Sequence, residues 1–347
     1  MTMASRPLDF SLPVSSIAVG PAVRRGTGRD DVRLMVASRS TRSISHDRFP
    51  SLDEHLKAGD VVVVNTSATL PAAVSARTGD GEPLKVHLAS PASGGLWSVE
   101  VRTPVEGGGT IPGPDLSAQT LQLPGGASAH LLATSIRTPR LWITALEGVD
   151  DVTEFLEEHG EPIRYASGPP WPISDYQTIF ATDPGSAEMP SAARPFTADL
   201  VTRLVSRGIA VVPIVLHAGV SSYEEHESPG EERYEVPSST ATMVNALRAG
   251  GGRVIAVGTT VVRALESVAD HAGTLHPGQG ITDLIVTPER GVRAVDGLLT
   301  GWHEPRSSHL TMLEAFLPRV YLQRVCDEAM ASGYLWHEFG DELLILP

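Results

Sequence analysis

The segment Gly251–Ser267, GGRVIAVGTTVVRALES, places an apolar strand, a tight turn and a helix in immediate succession. The run VIAV suits a strand that is covered on both faces, and apolar residues then recur at helical spacing. A junction of this kind directs backbone N–H groups and hydroxyls at one point beyond Val257. We therefore expect Gly258, Thr259 and Thr260 to bind a substrate; the alternative is that Thr260 only caps the helix.

Two sequence patterns divide the chain into zones. In residues 1–70 and 150–347, helical and strand-like segments alternate, as is typical of an α/β protein. Residues 71–149 instead carry short alternating runs between turns rich in glycine and proline, such as GGGTIPGPD and LPGGAS. We predict a large α/β domain formed by the first and last zones, with a small all-β domain inserted at 71–149.

The composition is that of an ordinary globular protein, with 41% hydrophobic and 20% charged residues in 347. No apolar run is long enough to cross a membrane, and the first residues lack the apolar block of a secretion signal, so we expect a cytoplasmic protein. The single cysteine, Cys326, excludes an intrachain disulfide and a cysteine-based zinc site. His217 and His226 with the neighbouring glutamates do not have the spacing of a compact ligand set, so we expect no metal.

Charge is distributed unevenly along the chain. The net charge is −14, yet the first 50 residues hold eight arginines against four aspartates. A basic strip can contact a phosphate backbone locally, while the field of an acidic molecule opposes a polyanion. The alternative is that these arginines pair with acids of the protein surface. Charge alone therefore leaves RNA binding open.

Polar residues follow three of the predicted strands at the point where each strand ends. His217 follows the strand Ile209–Leu216, the Gly-Thr-Thr turn follows the second, and the segment Val295–Leu299 leads into Trp302 and His303. Ligands of α/β proteins gather at the carboxyl ends of parallel strands. If these strands are parallel neighbours, the side chains converge on one pocket; the alternative for each histidine is a hydrogen-bonded structural imidazole.

Several of these segments resemble one enzyme family in order and spacing, and the resemblance covers nearly the whole chain. The matching segments are GDVVVVN, DYQTIFATDPGS, GGRVIAVGTTVVRALES, GITDLIVTPERGVRAVDGLLTGWHEPRSS and YLWHEFGDELLIL. The chain is similar to the S-adenosylmethionine:tRNA ribosyltransferase-isomerase (QueA) family of queuosine biosynthesis. The resemblance implies a large mixed α/β, barrel-like domain with an inserted small all-β barrel domain. It also implies transfer of the ribosyl part of S-adenosylmethionine, as co-substrate, to the aminomethyl group of a deazaguanine base in tRNA, with release of adenine and methionine.

The resemblance and the chemistry of the side chains together suggest roles for the site residues. A neutral imidazole suits proton transfer near pH 7, so we expect His303 to act as base or acid and His217 to act as its partner or as a donor to the leaving adenine. Arg263 is expected to hold the methionine carboxylate with the two threonines; the alternative is a salt bridge to an acid such as Glu266.

The remaining expected substrate contacts come from several parts of the chain. Asp283 is expected to bind ribose hydroxyls; the alternative is a structural cap. Trp302 and Phe196 are expected to stack on adenine or the sulfonium; the alternative is that they belong to the hydrophobic core. Asn65, at the end of GDVVVVN, and Thr197, at the end of the segment that corresponds to PTAGLHFT, complete the substrate-binding set.

The chain also departs from the family pattern. Where the family carries NDTRVIPAR, residues 65–73 read NTSATLPAA, and Pro195 replaces the histidine of PTAGLHFT. Arginines lost from a site that binds a polyanion remove charge-assisted contacts. Three functions therefore stay open: ribosyl transfer to tRNA, transfer to a small acceptor or another cleavage of S-adenosylmethionine by a paralogue, and ligand binding without catalysis.

Overall fold

The computed structural model describes residues 8–26, 28–165, 168–220, 230–336 and 338–347. Nineteen strands lie within these ranges: β1 (Arg33–Ser38), β2 (Ile44–Arg48), β3 (Val61–Asn65), β4 (Ser67–Thr69), β5 (Ala73–Arg77), β6 (Pro83–Pro91), β7 (Trp97–Pro104), β8 (Thr110–Pro112), β9 (Thr120–Gln122), β10 (Ser128–Thr134), β11 (Leu141–Glu147), β12 (Gly160–Glu161), β13 (Asp183–Ser186), β14 (Ala210–Leu216), β15 (Glu232–Val236), β16 (Val254–Val257), β17 (Gly278–Thr282), β18 (Gly297–Gly301) and β19 (Glu342–Leu346). The α-helices of the same ranges are α1 (Ala22–Arg25), α2 (Val152–His159), α3 (Ala198–Ser206), α4 (Ser238–Ala249), α5 (Thr259–Val268), α6 (Ser308–Glu314) and α7 (Arg319–Ala331).

A nine-stranded sheet forms the larger part of the molecule, in the order β17, β15, β14, β3, β16, β18, β19, β1, β2. Its central strands β14, β3, β16 and β18 are parallel neighbours. Every residue of β3 and β16 is buried, because separate apolar clusters cover the two faces of the sheet. Helix α5 contributes Val261 and Leu265 to one cluster, and Phe196 belongs to the other. The carboxyl ends of the parallel strands therefore share one edge, as the sequence pattern predicted.

The second large sheet closes into a six-stranded antiparallel barrel. Its ring runs through β5, β6, β7, β11, β10 and β9 and returns to β5, where Arg77 pairs with Gln122. Alternate side chains of the strands, such as Val74, Val86 and Val99, fill the interior. Helix α2 packs on the same core through Leu156, so this core continues past residue 149. The mixed α/β class with a small all-β barrel is confirmed, while domain boundaries at 71 and 149 stay a prediction.

Several arginines of the first 50 residues contact other parts of the protein. Arg24 Nε lies 3.0 Å from Asp175 Oδ2, and Arg48 pairs with Asp31. The guanidinium of Arg33 lies 3.9 Å from the centre of the Tyr334 ring. Arg6 lies outside the described residues. These contacts agree with the structural alternative for this basic strip.

No helix in the part of the chain that the structure describes is long and apolar enough to cross a membrane.

Candidate active site

A cavity of about 380 Å³ lies where the parallel strands end. The residues after β14, β16 and β18 line it, and other parts of its wall come from Glu188–Ala192, Gly230 with Glu232, helix α6 and Glu338. The volume falls in the range of small-molecule sites, about 300–1,000 Å³. Of the residues that the sequence suggested, the wall contains six: Gly258, Thr259, Thr260, Arg263, Trp302 and His303.

The Gly258 turn begins α5 at the edge of the cavity. Gly258 has φ 92°, a conformation that favours glycine, and its N–H donates to Leu299 O at 2.8 Å. The first N–H groups of a helix have no partner within that helix and are available to a ligand. Thr259 and Thr260 begin this first turn, so their N–H groups are of this kind. The turn can therefore hold an anionic or polar group.

Asn65 supports this turn from beneath rather than lining the cavity. Its Nδ2 donates to Leu216 O at 2.7 Å and to Thr260 Oγ1 at 3.3 Å, and its Oδ1 accepts from the Leu216 N–H at 3.0 Å. The side chain is fully buried. Asn65 therefore ties the ends of β3 and β14 to the first turn of α5.

His303 lies in the wall with its ring parallel to a second imidazole. The rings of His303 and His309 are 4.5 Å apart between centres, at an interplanar angle of 5°. His303 Nε2 lies 2.9 Å from Thr300 Oγ1. Burial, followed by the neighbouring ring of His309, lowers the pKa of His303 well below its usual value, and burial and the charge of Arg263 lower that of His309 to about 4. Both rings are therefore neutral at pH 7.

Trp302 offers an unsatisfied donor at the cavity. Its ring packs against Tyr334 and Trp336, with centres 5.7 and 5.0 Å away. Within the described ranges, neither Trp302 Nε1 nor Ser307 Oγ has a hydrogen-bond partner, although both atoms are buried and both residues line the cavity. Buried polar atoms without partners are rare in proteins, so each calls for a polar ligand atom or water.

His217 lies beside the cavity wall and not in it. Its Nδ1 is 2.8 Å from Ser67 Oγ, which is also 2.6 Å from Ser186 Oγ. Its ring packs against Gly185, where a larger residue would collide with it. Burial and the charge of Arg233 lower the pKa of His217. The neighbouring Ala218 lines the cavity, so His217 contacts the wall through the backbone.

Arg263 lines the cavity, but most N–H groups of its guanidinium already donate to protein atoms. It pairs with Glu232, and it donates to Leu284 O at 3.1 Å, Gly230 O at 2.9 Å and Thr282 O at 3.1 Å. A guanidinium has five N–H donors, so at most one remains for a ligand. Burial lowers its pKa to about 10, and it stays charged. The Glu266 carboxylate pairs with another residue, Arg290, at 2.6 Å.

Three further candidates lie outside the cavity wall. Asp283 is exposed and forms an ion pair with Arg137 at 2.6 Å. Phe196 is fully buried beneath the sheet, in edge contact with two other phenylalanines. Thr197 caps α3 by accepting from the Leu200 N–H at 3.2 Å. In this structure these residues have structural partners, and their roles as substrate contacts remain predictions.

Sequence reasoning missed several lining residues, among them the titratable residues His309 and Glu338. His309 lies six positions after His303, on the first turn of α6, and Glu338 precedes β19. Burial raises the pKa of Glu338 to about 7. The signal for His309 was its proximity in sequence to His303; Glu338 reaches the cavity only because the C-terminal segment folds back over it.

No group of three His, Cys, Asp or Glu side chains with the geometry of a metal site occurs among the residues with described positions. His226 lies outside those residues. Cys326 is buried in α7, where burial raises the pKa of its thiol to about 12 and keeps it protonated.

The fold and the site define a mixed α/β protein with an inserted antiparallel barrel and a polar cavity at its parallel strand ends. The profile of the family described as queuosine biosynthesis protein matches residues 6–345. The chain belongs to this family.

Individual relatives match along nearly their whole length. A protein of Symbiobacterium thermophilum is 34% identical over 352 residues, which cover 97% of this chain and 98% of that protein. One of Pelobacter propionicus is 31% identical over 356 residues, 99% of this chain and all of the relative. Both are named S-adenosylmethionine:tRNA ribosyltransferase-isomerase. The crystal structure of S-adenosylmethionine tRNA ribosyltransferase from Thermotoga maritima superposes with a TM-score of 0.54 at 28% identity, covering 98% of this chain and 99% of that one.

Proposed function

We propose that this protein is an S-adenosylmethionine:tRNA ribosyltransferase-isomerase, a cytoplasmic enzyme of queuosine biosynthesis. Its relatives over the whole chain carry that name. The observation that carries the proposal is the cavity, which combines a helix N-terminus, two neutral imidazoles and two buried polar atoms that have no hydrogen-bond partner among the residues described. A nucleoside with hydroxyls, a carboxylate and a cationic centre supplies partners for each.

The wall suits the parts of S-adenosylmethionine. The N–H groups of the Thr259 and Thr260 turn are placed to bind the methionine carboxylate. The carboxylate of Glu304 lines the same cavity and attracts the sulfonium and ammonium charges. Trp302 Nε1 can donate to a nucleoside oxygen or ring nitrogen. Arg263 holds the wall in place through Glu232 and backbone carbonyls.

The reaction requires proton transfer within this cavity. Bound S-adenosylmethionine supplies a sulfonium that acidifies the adjacent ribose carbon, C5′. His303 is neutral and can accept that proton, and burial disfavours its retention as an imidazolium. Glu338, with a pKa of about 7, is suited to exchange protons at physiological pH and to protonate the departing adenine. His217 acts as a positioning residue behind Ala218.

Adenine release tests this function. The protein is incubated with S-adenosylmethionine, with and without tRNA that carries the aminomethyl-deazaguanine base, and free adenine is followed by chromatography with mass detection. We expect adenine only when this tRNA is present, and none with the His303→Ala variant. Adenine without tRNA would instead support a small acceptor or a lyase, and no adenine in either reaction would contradict the proposed activity.

A further inference from the structure

A layer of charged residues lies on the outer face of the barrel, and none of its residues lines the cavity of the nine-stranded sheet. In the ladder between β6 and β7, Lys85 lies opposite Arg102 and His87 lies opposite Glu100. The alternate residues of both strands point into the barrel core. Outward-facing residues of a barrel are normally exposed, yet His87, Glu100 and Arg102 are only 0%, 2% and 5% exposed. The glycine turn before β8 and the segment after β12 cover them. The ring of Tyr165 lies edge-on to His87, with centres 5.7 Å apart.

A second cavity, of about 210 Å³, lies between this layer and its cover. Its wall includes Lys85, His87, Glu161, Arg164 and the glycine turn. Gly108 has φ 78°, and a Cβ at this position would lie 2.8 Å from Arg164 Nη1. A residue other than glycine would therefore displace the guanidinium from the wall.

Charged side chains are concentrated around this cavity. The carboxylates of Glu100 and Glu161 lie among the cationic side chains of Lys85, Arg102, Arg140 and Arg164. One oxygen of Glu100 serves both Arg102 and Arg140 at 2.9 Å, and Glu161 pairs with Lys85 and lies 3.7 Å from Arg164. Burial, and then the charge of Arg164, lower the pKa of Lys85. Of the described charged side chains that line the cavity itself, Lys85 and Arg164 are cationic and Glu161 is anionic, so this wall carries a net positive charge.

His87 is the centre of this layer and has no hydrogen bond. Burial, followed by the charges of Arg102, Lys85 and Arg140, lowers its pKa to about 3, so the ring is neutral and carries one N–H. Neither ring nitrogen has a hydrogen-bond partner among the residues with described positions. The nearest carboxylate oxygen, Glu100 Oε2, is 3.8 Å from Nδ1. A buried donor in a positive field is satisfied best by an anion.

We propose that this barrel cavity binds a phosphate group. Lys85 and Arg164 supply charge, the His87 N–H supplies a neutral donor, and the glycine turn allows the backbone to approach closely. A phosphate offers several acceptor oxygens in a compact volume, which fits donors that converge from three directions. Glu161 holds the two cations together when the anion is absent. The phosphate comes either from a free phosphate compound or from an RNA backbone.

Calorimetric titration of the protein with inorganic phosphate, in chloride buffer of matched ionic strength, tests the site. We expect saturable binding at one site, weakened at least tenfold by Lys85→Met and by His87→Phe. The matched control is Arg77→Met, which also removes one positive charge from the barrel but lies outside the cavity. Absence of saturable binding, or equal weakening by Arg77→Met, would overturn the proposal.

Two further measurements keep the test decisive. If His87→Phe fails to fold, phosphate-dependent stabilisation is compared in the unaltered protein and in Lys85→Met. The Lys85 side chain is 19% exposed, and equal stabilisation of both proteins would overturn the site.

In a second arm, tRNA affinity is measured. A fall in Lys85→Met that parallels the loss of phosphate binding assigns the phosphate to RNA, and unchanged tRNA affinity assigns it to a free compound. Phosphate titration needs neither S-adenosylmethionine nor tRNA, so its result is independent of the proposed activity.

Discussion

Replacement of Arg263 distinguishes a structural role of this residue from a direct contact with the substrate. Its side chain is 4% exposed, pairs with Glu232 and serves three backbone carbonyls. Removing one partner of a buried ion pair costs about 3–5 kcal/mol, because the remaining charge stays buried without compensation. We therefore expect Arg263→Met to lower the free energy of unfolding by that amount.

The expected shift in melting temperature follows from the size of the protein. Unfolding entropy is about 2.1 cal/mol/K per residue, so for 347 residues the loss corresponds to about 4–7 °C. Calorimetry or thermal circular dichroism measures this shift, and isothermal titration measures affinity for S-adenosylmethionine in the folded variant. The matched control is Arg290→Met, which breaks the buried pair with Glu266 on the same helix but does not line the cavity.

The two roles predict opposite patterns. If Arg263 supports the wall, Arg263→Met and Arg290→Met lose comparable stability, and Arg263→Met retains most of its affinity. A variant Arg263→Met that melts like the unaltered protein but binds S-adenosylmethionine a hundredfold more weakly would refute this reasoning. It would mean that the guanidinium holds the methionine carboxylate, as the sequence suggested.

Three other perturbations test the groups with shifted pKa values. His303→Gln should lower adenine release by about 10²–10⁴-fold with little change in affinity for S-adenosylmethionine; single-turnover kinetics measure this, and unchanged turnover would remove His303 from the mechanism. Glu338→Gln should remove an apparent pKa near 7 from the pH profile of kcat/KM, and a profile identical to that of the unaltered protein would exclude Glu338. The pKa of His87 is about 3 in the folded protein and about 6.5 in the unfolded chain, so below pH 6.5 the unfolded state binds more protons. As the pH is lowered from 6.5, the free energy of unfolding therefore decreases by about 1.4 kcal/mol per pH unit, which amounts to about 2 kcal/mol at pH 5. Urea unfolding in phosphate-free buffer at pH 7 and pH 5 should show that His87→Phe lacks this decrease in the free energy of unfolding. An equal decrease in the unaltered protein and in His87→Phe would contradict the low pKa of His87.

Local sequence patterns predicted the central elements of the fold well. The strand and helix of the opening motif are found as β16 and α5, and the predicted strand ending before His217 is β14. These elements have strong periodicity and clear stop signals, which depend only on neighbouring residues. By contrast, β17 (Gly278–Thr282) is held in the sheet by its pairing with β15. Such pairing joins distant segments and leaves little local signal.

The candidate site was predictable where it follows strand ends. The Gly258 turn and His303 reach the same cavity because β16 and β18 are parallel neighbours. Glu338 could not be found in this way, since it reaches the cavity through the C-terminal segment that leads into β19. The family resemblance suggested Phe196 and Asp283 as contacts, but packing beneath the sheet and pairing with Arg137 now account for their positions. Burial and pairing of individual side chains depend on tertiary contacts that no local pattern encodes.

The most direct test of the central claim is a crystal structure of the protein with S-adenosylmethionine bound. We expect the nucleoside in the cavity of about 380 Å³, with its carboxylate at the N–H groups of Thr259 and Thr260 and its ribose beside His303. Density for the ligand elsewhere, or a ribose out of reach of His303, would contradict it.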